Sequence, residues 1–219
     1  MEFQEILQEY PKEFRNAVIL ADRVYEDHNT EKSTDTQWTL KYIDNVIYIA
    51  FAGTDSLKDI CMNVEIAKQI IPYDNTDSNI RVHSGFIKAY KSVRDQISHI
   101  VKAILPICMQ EPKIFISGHS LGGAIALLCA IDIQYNFNIE PYTFTFGQPR
   151  VGNAEFAKST VKRLFNYFRF VNGDDTVTMF PKLGYYHCPK LVEIGNKSKW
   201  KLFSFEDHKM NNYKRILLV

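Results

Sequence analysis

ISGHSLGGAIALL, residues Ile116 to Leu128, sets one serine among three glycines between an apolar run and an alanine-leucine run. A serine that merely packed a core would need none of Gly118, Gly122 and Gly123 so close to it. Glycine tolerates strained backbone and the close approach of another segment, and it weakens helices and strands. Three at one junction therefore indicate a sharp strand-to-helix turn. Such a turn pushes the side chain of Ser120 into the open. KIFIS before the turn reads as a short buried strand, and LGGAIALLCAIDIQY after it as a helix apolar on most sides. Gly118-His119-Ser120-Leu121-Gly122 then fits G-x-S-x-G in the strand-turn-helix setting that this motif requires. That setting weighs against an incidental serine in a Gly-rich turn. The helix N-terminus brings positive potential to the serine, and the Leu121 N–H is placed to stabilise a developing oxyanion.

The pattern repeats outward from this junction. YTFTFG reads as the next strand, NAEFAKSTVKRL as a helix and YFRFV as a further strand. This succession of crossover units predicts a mainly parallel sheet covered by helices. Upstream, GFIKAYKSVRDQISHIVKAIL carries Ile87, Tyr90, Ile97, Ile100, Val101 and Ile104 along one stripe before Pro106, which predicts a long core-facing helix. QWTLKYI and VIYIAFAG flank Asp44-Asn45 as a β-hairpin whose second strand runs to Gly53. A first helix begins near Pro11 and carries Phe14, Ala17, Val18, Ala21, Val24 and Tyr25 at helical spacing. Residues 28–36 read as a loop, and KLVEI as a late strand before a last helix.

Composition bounds the function. With 219 residues, 46% apolar and 23% charged, the chain suits one globular domain with a full-sized core. A formal charge of +1 supplies no global field for nucleic acid or an anionic membrane. The acidic start MEFQEILQEYPKEF lacks the basic and apolar regions of a signal peptide, and no apolar stretch is long enough to span a bilayer. Cys61, Cys108, Cys129 and Cys188 are widely spaced, without metal-type clustering. They read as mostly buried thiols in a reducing compartment, with a disulfide as the alternative, so the expected localisation is cytoplasmic, with no metal and no cofactor.

A serine hydroxyl needs a base to take its proton, and the base needs a third group to hold its tautomer. In the chain order Ser, acid, His, only His187 and His208 follow Ser120. His208, at the start of the last helix, matches that order better than His187 in GYYHCP. FVNGDDTVTMFP supplies Asp174 and Asp175 after a strand, and local sequence leaves the choice between them open. Asp132, inside a helix, and Glu193, inside a strand, are worse placed.

These residues carry a resemblance to the fungal-type triacylglycerol lipases, the class 3 lipase family of α/β-hydrolases. GHSLGGAIALLCAIDI resembles that family's elbow and following helix, VHSGF its segment before the long helix, and FGQPRVGN its segment after the next strand. The match runs from roughly Trp38 to His208. The family's N-x-x-D-x-V pattern selects Asn172, Asp175 and Val177, which makes Asp175 the acid. An aspartate often precedes the family's histidine, and Asp207-His208 agrees. The resemblance also implies a second oxyanion donor, Thr54, in Phe51-Ala52-Gly53-Thr54, where Ala52 replaces the usual arginine. It implies a mobile lid after that residue. Leu57, Ile60, Cys61 and Val64 form an apolar stripe there, without the tryptophan often found in such lids, and the same stripe fits a connecting helix turned toward the core.

The expectation is a single α/β-hydrolase domain cleaving lipid esters, foremost acylglycerols, at Ser120 with His208, Asp175 and the oxyanion donors Thr54 and Leu121. A lipid ester, met in water or at a lipid interface, is its expected partner, with no nucleic acid. Its rivals are a phospholipase, a feruloyl-type esterase and a non-catalytic lipase-like interaction module.

Overall fold

Short strands that are apolar on both faces can be buried only between two layers of helix, and the chain folds accordingly. The computed structural model describes residues 2–54, 66–67, 79–198 and 204–218. Among them a seven-stranded sheet has the order β1 (Asn29–Glu31), β2 (Thr36–Ile43), β3 (Val46–Phe51), β6 (Lys113–His119), β7 (Tyr142–Phe146), β8 (Tyr167–Asn172) and β9 (Leu191–Ile194). The short pair β4 (Ile66–Ala67) and β5 (Val82–His83) stands apart from it. The first three strands of the sheet pair antiparallel, and β3 onward pair parallel.

From β3 to β9 the chain adds strands in one direction only. Right-handed crossovers that always step the same way leave their helices on the same face. α3 (Ser84–Ile104), α4 (Leu121–Phe137) and α5 (Ala154–Arg163) accordingly share one face, where Ile47, Ile49, Ile114 and Ile116 meet them. The opposite face would be left bare. The two ends of the chain cover it, as α1 (Phe3–Glu9), α2 (Pro11–Arg23) and α6 (Met210–Leu217) pack on Tyr48, Phe115, Phe144, Phe146, Phe168 and Phe170. Strand residues therefore alternate between two cores, which explains why Ile114-Phe115-Ile116 is apolar without alternation. In α4 every residue from Gly122 to Ile133 is buried, so that helix has no polar face to show.

The expected hairpin is present, with Asp44 and Asn45 both at positive φ, as a two-residue turn that follows the strand twist requires. Its second strand stops at Phe51, two residues short of Gly53. Among the described strands and α-helices, β1, the two-residue strands β4 and β5, and α1 escaped the sequence reading. β1 lies within the expected loop and pairs with β2, and α1 precedes Pro11 with Ile6 as its sole buried residue. Each is too short to show a period. Cys108, Cys129 and Cys188 are free thiols, and Cys61 lies outside the described residues.

Candidate active site

The parallel strands end on one edge, and the loops leaving β3, β6 and β8 meet there, where open α/β sheets place their ligands. Ser120 follows β6 at φ 63°, ψ −125°, a backbone conformation that costs energy for any residue with a Cβ. The glycines make this possible by proximity. A Cβ on Gly118 would sit 2.2 Å from the Gly122 carbonyl oxygen, and one on Gly122 would sit 2.1 Å from that of Phe51. Helix and strand thus cross with backbone against backbone, and Ser120 is held at the crossing. Its N–H donates to the Phe146 carbonyl at 2.9 Å. The side chain leaves the sheet edge as expected, but Ser120 is buried rather than open, with its hydroxyl against His208.

The expected triad residues come together. Ser120 Oγ is 2.7 Å from His208 Nε2, and His208 Nδ1 is 2.9 Å from both carboxylate oxygens of Asp175. A carboxylate accepts only, so Nδ1 carries the proton and Nε2 is left to accept the one on Ser120. Asp175 Oδ1 also accepts from the Val177 N–H at 2.9 Å, and Oδ2 from the Tyr213 hydroxyl at 2.5 Å. Burial and the Asp175 charge push the Tyr213 phenol well above its usual range, so it stays a donor.

The neighbouring candidates have other partners. The Asp174 carboxylate accepts from the Ser198 N–H at 2.7 Å, on the far side of its turn. Asp132 is buried between α3 and α4, where it accepts from Tyr90, Arg94 and Asn136. Glu193 pairs with Lys197. His187 donates from Nε2 to the Thr178 carbonyl at 2.6 Å, and burial drives its pKa down to about 3. Asp207 does more than precede the histidine. Its carboxylate accepts from the Asp174 N–H, and its carbonyl from Asn172 Nδ2 at 2.9 Å, which fastens the His208 loop to the end of β8.

Gly53 passes so near Ser120 that a Cβ there would lie 2.9 Å from the serine Cβ, so Thr54 leaves β3 beside the nucleophile. Leu121 opens α4, where the first N–H groups of a helix have no partner within it. The lid residues Leu57, Ile60, Cys61 and Val64 lie outside the described residues.

Three contributors were missed in the sequence. Tyr213 orients Asp175 from the last helix, and Gly147, at φ 59°, leaves no room for a side chain, since a Cβ would meet Asp175 Oδ2 at 2.7 Å and His208 Nδ1 at 2.8 Å. His119 was visible inside the motif but stood only as its variable position. Of these, Gly147 in FGQPRVGN alone carried a signal, being a glycine at a strand end.

The class 3 lipase model matches residues 48–185, and the chain belongs to that family. It is 34% identical over 163 residues to a lipase of Rhizomucor miehei, covering 71% of this chain and 43% of that one. It is also 34% identical over 149 residues to a chloroplastic phospholipase A(1) of Arabidopsis thaliana, covering 62% and 33%. The chain thus spans less than half the length of these relatives. The solved triacylglyceride lipase of Rhizomucor miehei superimposes with a TM-score of 0.72 at 26% identity, over 85% of this chain and 80% of that one. The central, mainly parallel sheet flanked by helices is the α/β-hydrolase fold expected from the sequence.

Proposed function

We propose that this protein is a serine carboxylic-ester hydrolase acting on acylglycerols. The observation that carries the reading is the unbroken chain from Ser120 Oγ through His208 to Asp175, at 2.7 and 2.9 Å. His208 Nε2 takes the proton as Ser120 Oγ bonds to the ester carbonyl carbon, and the carbonyl oxygen becomes an oxyanion held by the N–H groups of Thr54 and Leu121. Collapse of this intermediate breaks the ester C–O bond, and His208 returns the proton to the departing alcohol. Water then attacks the acyl-serine, giving up its proton to His208, and the carboxylic acid leaves with Ser120 restored. Asp175 fixes the His208 tautomer and steadies the imidazolium in both halves.

Acylglycerols are favoured by the likeness to the triacylglyceride lipase, and phospholipids are the second reading because of the likeness to the phospholipase A(1). A lipid-water interface is the natural meeting place for either substrate. A fluorophosphonate probe together with a panel of triglyceride, diglyceride, phospholipid and feruloyl ester tests the proposal. Ser120→Ala is expected to lower kcat at least about a thousandfold without loss of fold. Labelling at another residue would overturn Ser120 as the nucleophile, and well-folded protein that takes no label would overturn the enzyme reading and leave an interaction module.

A further inference from the structure

His119 takes no part in the bond changes above, yet it is buried and both its ring nitrogens are engaged. Nε2 lies 2.6 Å from the carbonyl oxygen of His208. A carbonyl can only accept, so Nε2 carries the proton and Nδ1 is an acceptor. The Tyr25 hydroxyl, 2.7 Å from Nδ1, must therefore donate to it. The Tyr25 oxygen in turn accepts from the Gly53 N–H at 2.9 Å. The direction of every bond is fixed: Gly53 N–H to Tyr25, Tyr25 O–H to His119, and His119 N–H to the backbone of His208. The ring of His119 also lies against that of His208, with centroids 4.6 Å apart.

We propose that His119 is a positioning residue: with Tyr25 it ties the Gly53–Thr54 turn to the His208 backbone, so that oxyanion donors and base keep one geometry about Ser120. This rests on the triad reading. The chain joins three segments that the sheet alone leaves independent, because Gly53 and His208 both lie in loops beyond strand ends. It also needs a side chain that accepts on one side and donates on the other, which an apolar filler does not provide. Burial, with the neighbouring His208 as a second cause, pushes His119 down to about 3. It therefore stays neutral, neither repelling the imidazolium of His208 nor competing for the serine proton.

His119→Phe keeps a ring against His208 and deletes both hydrogen bonds, whereas His119→Gln can offer an amide oxygen to Tyr25 and an amide N–H to the carbonyl. For the full chain acting on a soluble ester, His119→Phe is expected to lower kcat about 10- to 100-fold with KM changed less than about twofold. His119→Gln is expected to recover most of that loss, and Tyr25→Phe to lose about tenfold. The double variant Tyr25→Phe with His119→Phe is expected to be no worse than His119→Phe, because both cut one chain. Unchanged kcat in His119→Phe, no recovery in His119→Gln at equal thermal stability, or additive losses would overturn the proposal. If His119→Phe does not fold, Tyr25→Phe decides alone, and full activity there overturns it. Fluorophosphonate labelling of the wild type separates the two readings. An unlabelled, inactive wild type fails both, and a labelled, active one with unaffected variants fails this proposal only.

Discussion

Ser120 is placed by its own neighbours, whereas Asp175 and His208 are placed by partners far along the chain. The serine's conformation follows from five consecutive residues and from the absence of Cβ atoms where β6, α4 and β3 cross. The acid and base sit in loops without repetitive structure, held by Asp207 to Asp174 and Asn172, by Tyr213 to Asp175, and by each other, over separations of 33 to 38 residues. Steric exclusion fixes the first region and directional hydrogen bonds the second. Substitutions should then fail differently in the two: abruptly at the elbow wherever a Cβ meets backbone, and in steps at the loops as bonds are removed one at a time.

The sharpest break of that contrast is at the acid. Asp175→Asn presents an amide to His208 Nδ1–H, favours the wrong tautomer, and is expected to lower kcat roughly 10⁴-fold while the fold stands. Asp174→Asn is expected to change kcat less than about threefold, since its carboxylate engages the Ser198 N–H and not His208. Steady-state kinetics of the pair checks this, and the opposite ranking would move the acid by one residue.

At the elbow, Gly122→Ala places a methyl 2.1 Å from the Phe51 carbonyl oxygen and 2.6 Å from that of Ala52. Both are backbone atoms, one at the end of β3 and one just beyond it, so α4 must shift. A destabilisation of about 3 kcal/mol in urea unfolding is expected, together with loss of activity. Gly123→Ala meets the Gln148 side chain at 3.1 and 3.3 Å and the Gly118 carbonyl oxygen at 3.2 Å, contacts about 1 Å looser than those at Gly122, and is expected to cost less than about 1 kcal/mol. Equal effects at the two glycines would show that close backbone approach is not what the elbow requires.

The same division explains what could be read from the chain. Strands β6 to β8, helices α3 to α5 and the serine turn were legible, because periodicity, glycine spacing and turn chemistry are local. The choice of Asp175 over Asp174 was not legible from local sequence and came from a family pattern. It depends on which way each carboxylate faces, and that is set by Ser198 and Tyr213. Tyr213 itself carried no signal in the expected last helix, since nothing in KMNNYKRILL reveals a hydroxyl aimed at a carboxylate. β1 was lost inside a polar stretch because a three-residue edge strand shows no period.

Removing one bond of several tests the stepwise behaviour of the loops. Tyr213→Phe deletes the hydroxyl that donates to Asp175 Oδ2 and accepts from the Asn172 N–H, while His208 and Val177 still hold the carboxylate. The expected result is a loss of about tenfold in kcat and about 1 kcal/mol in stability. An effect as large as that of Asp175→Asn would mean that the loop network acts all or none, like the elbow.

The smallest effect on turnover concerns two histidines that take no proton in the folded state above about pH 3. His119 lies at the site and His187 away from it, and burial pushes both from near 6.5 down to about 3. In the unfolded chain each binds a proton as the pH falls through about 6.5. The native state refuses that proton until about pH 3, so the unfolded state binds more protons between these limits, and stability rises with pH across that window. Each histidine's contribution is therefore whole above pH 6.5 and is lost on acidification toward pH 3, at about 1.4 kcal/mol per pH unit. His187→Gln keeps an N–H for the Thr178 carbonyl and removes the titrating group. Its urea midpoint is expected to fall less steeply than that of the wild type between pH 6.5 and 4.5, with kcat on a soluble ester at pH 8 within about twofold. Parallel pH profiles would show that His187 is protonated in the native state, and a large loss of kcat would return it to the list of candidate bases.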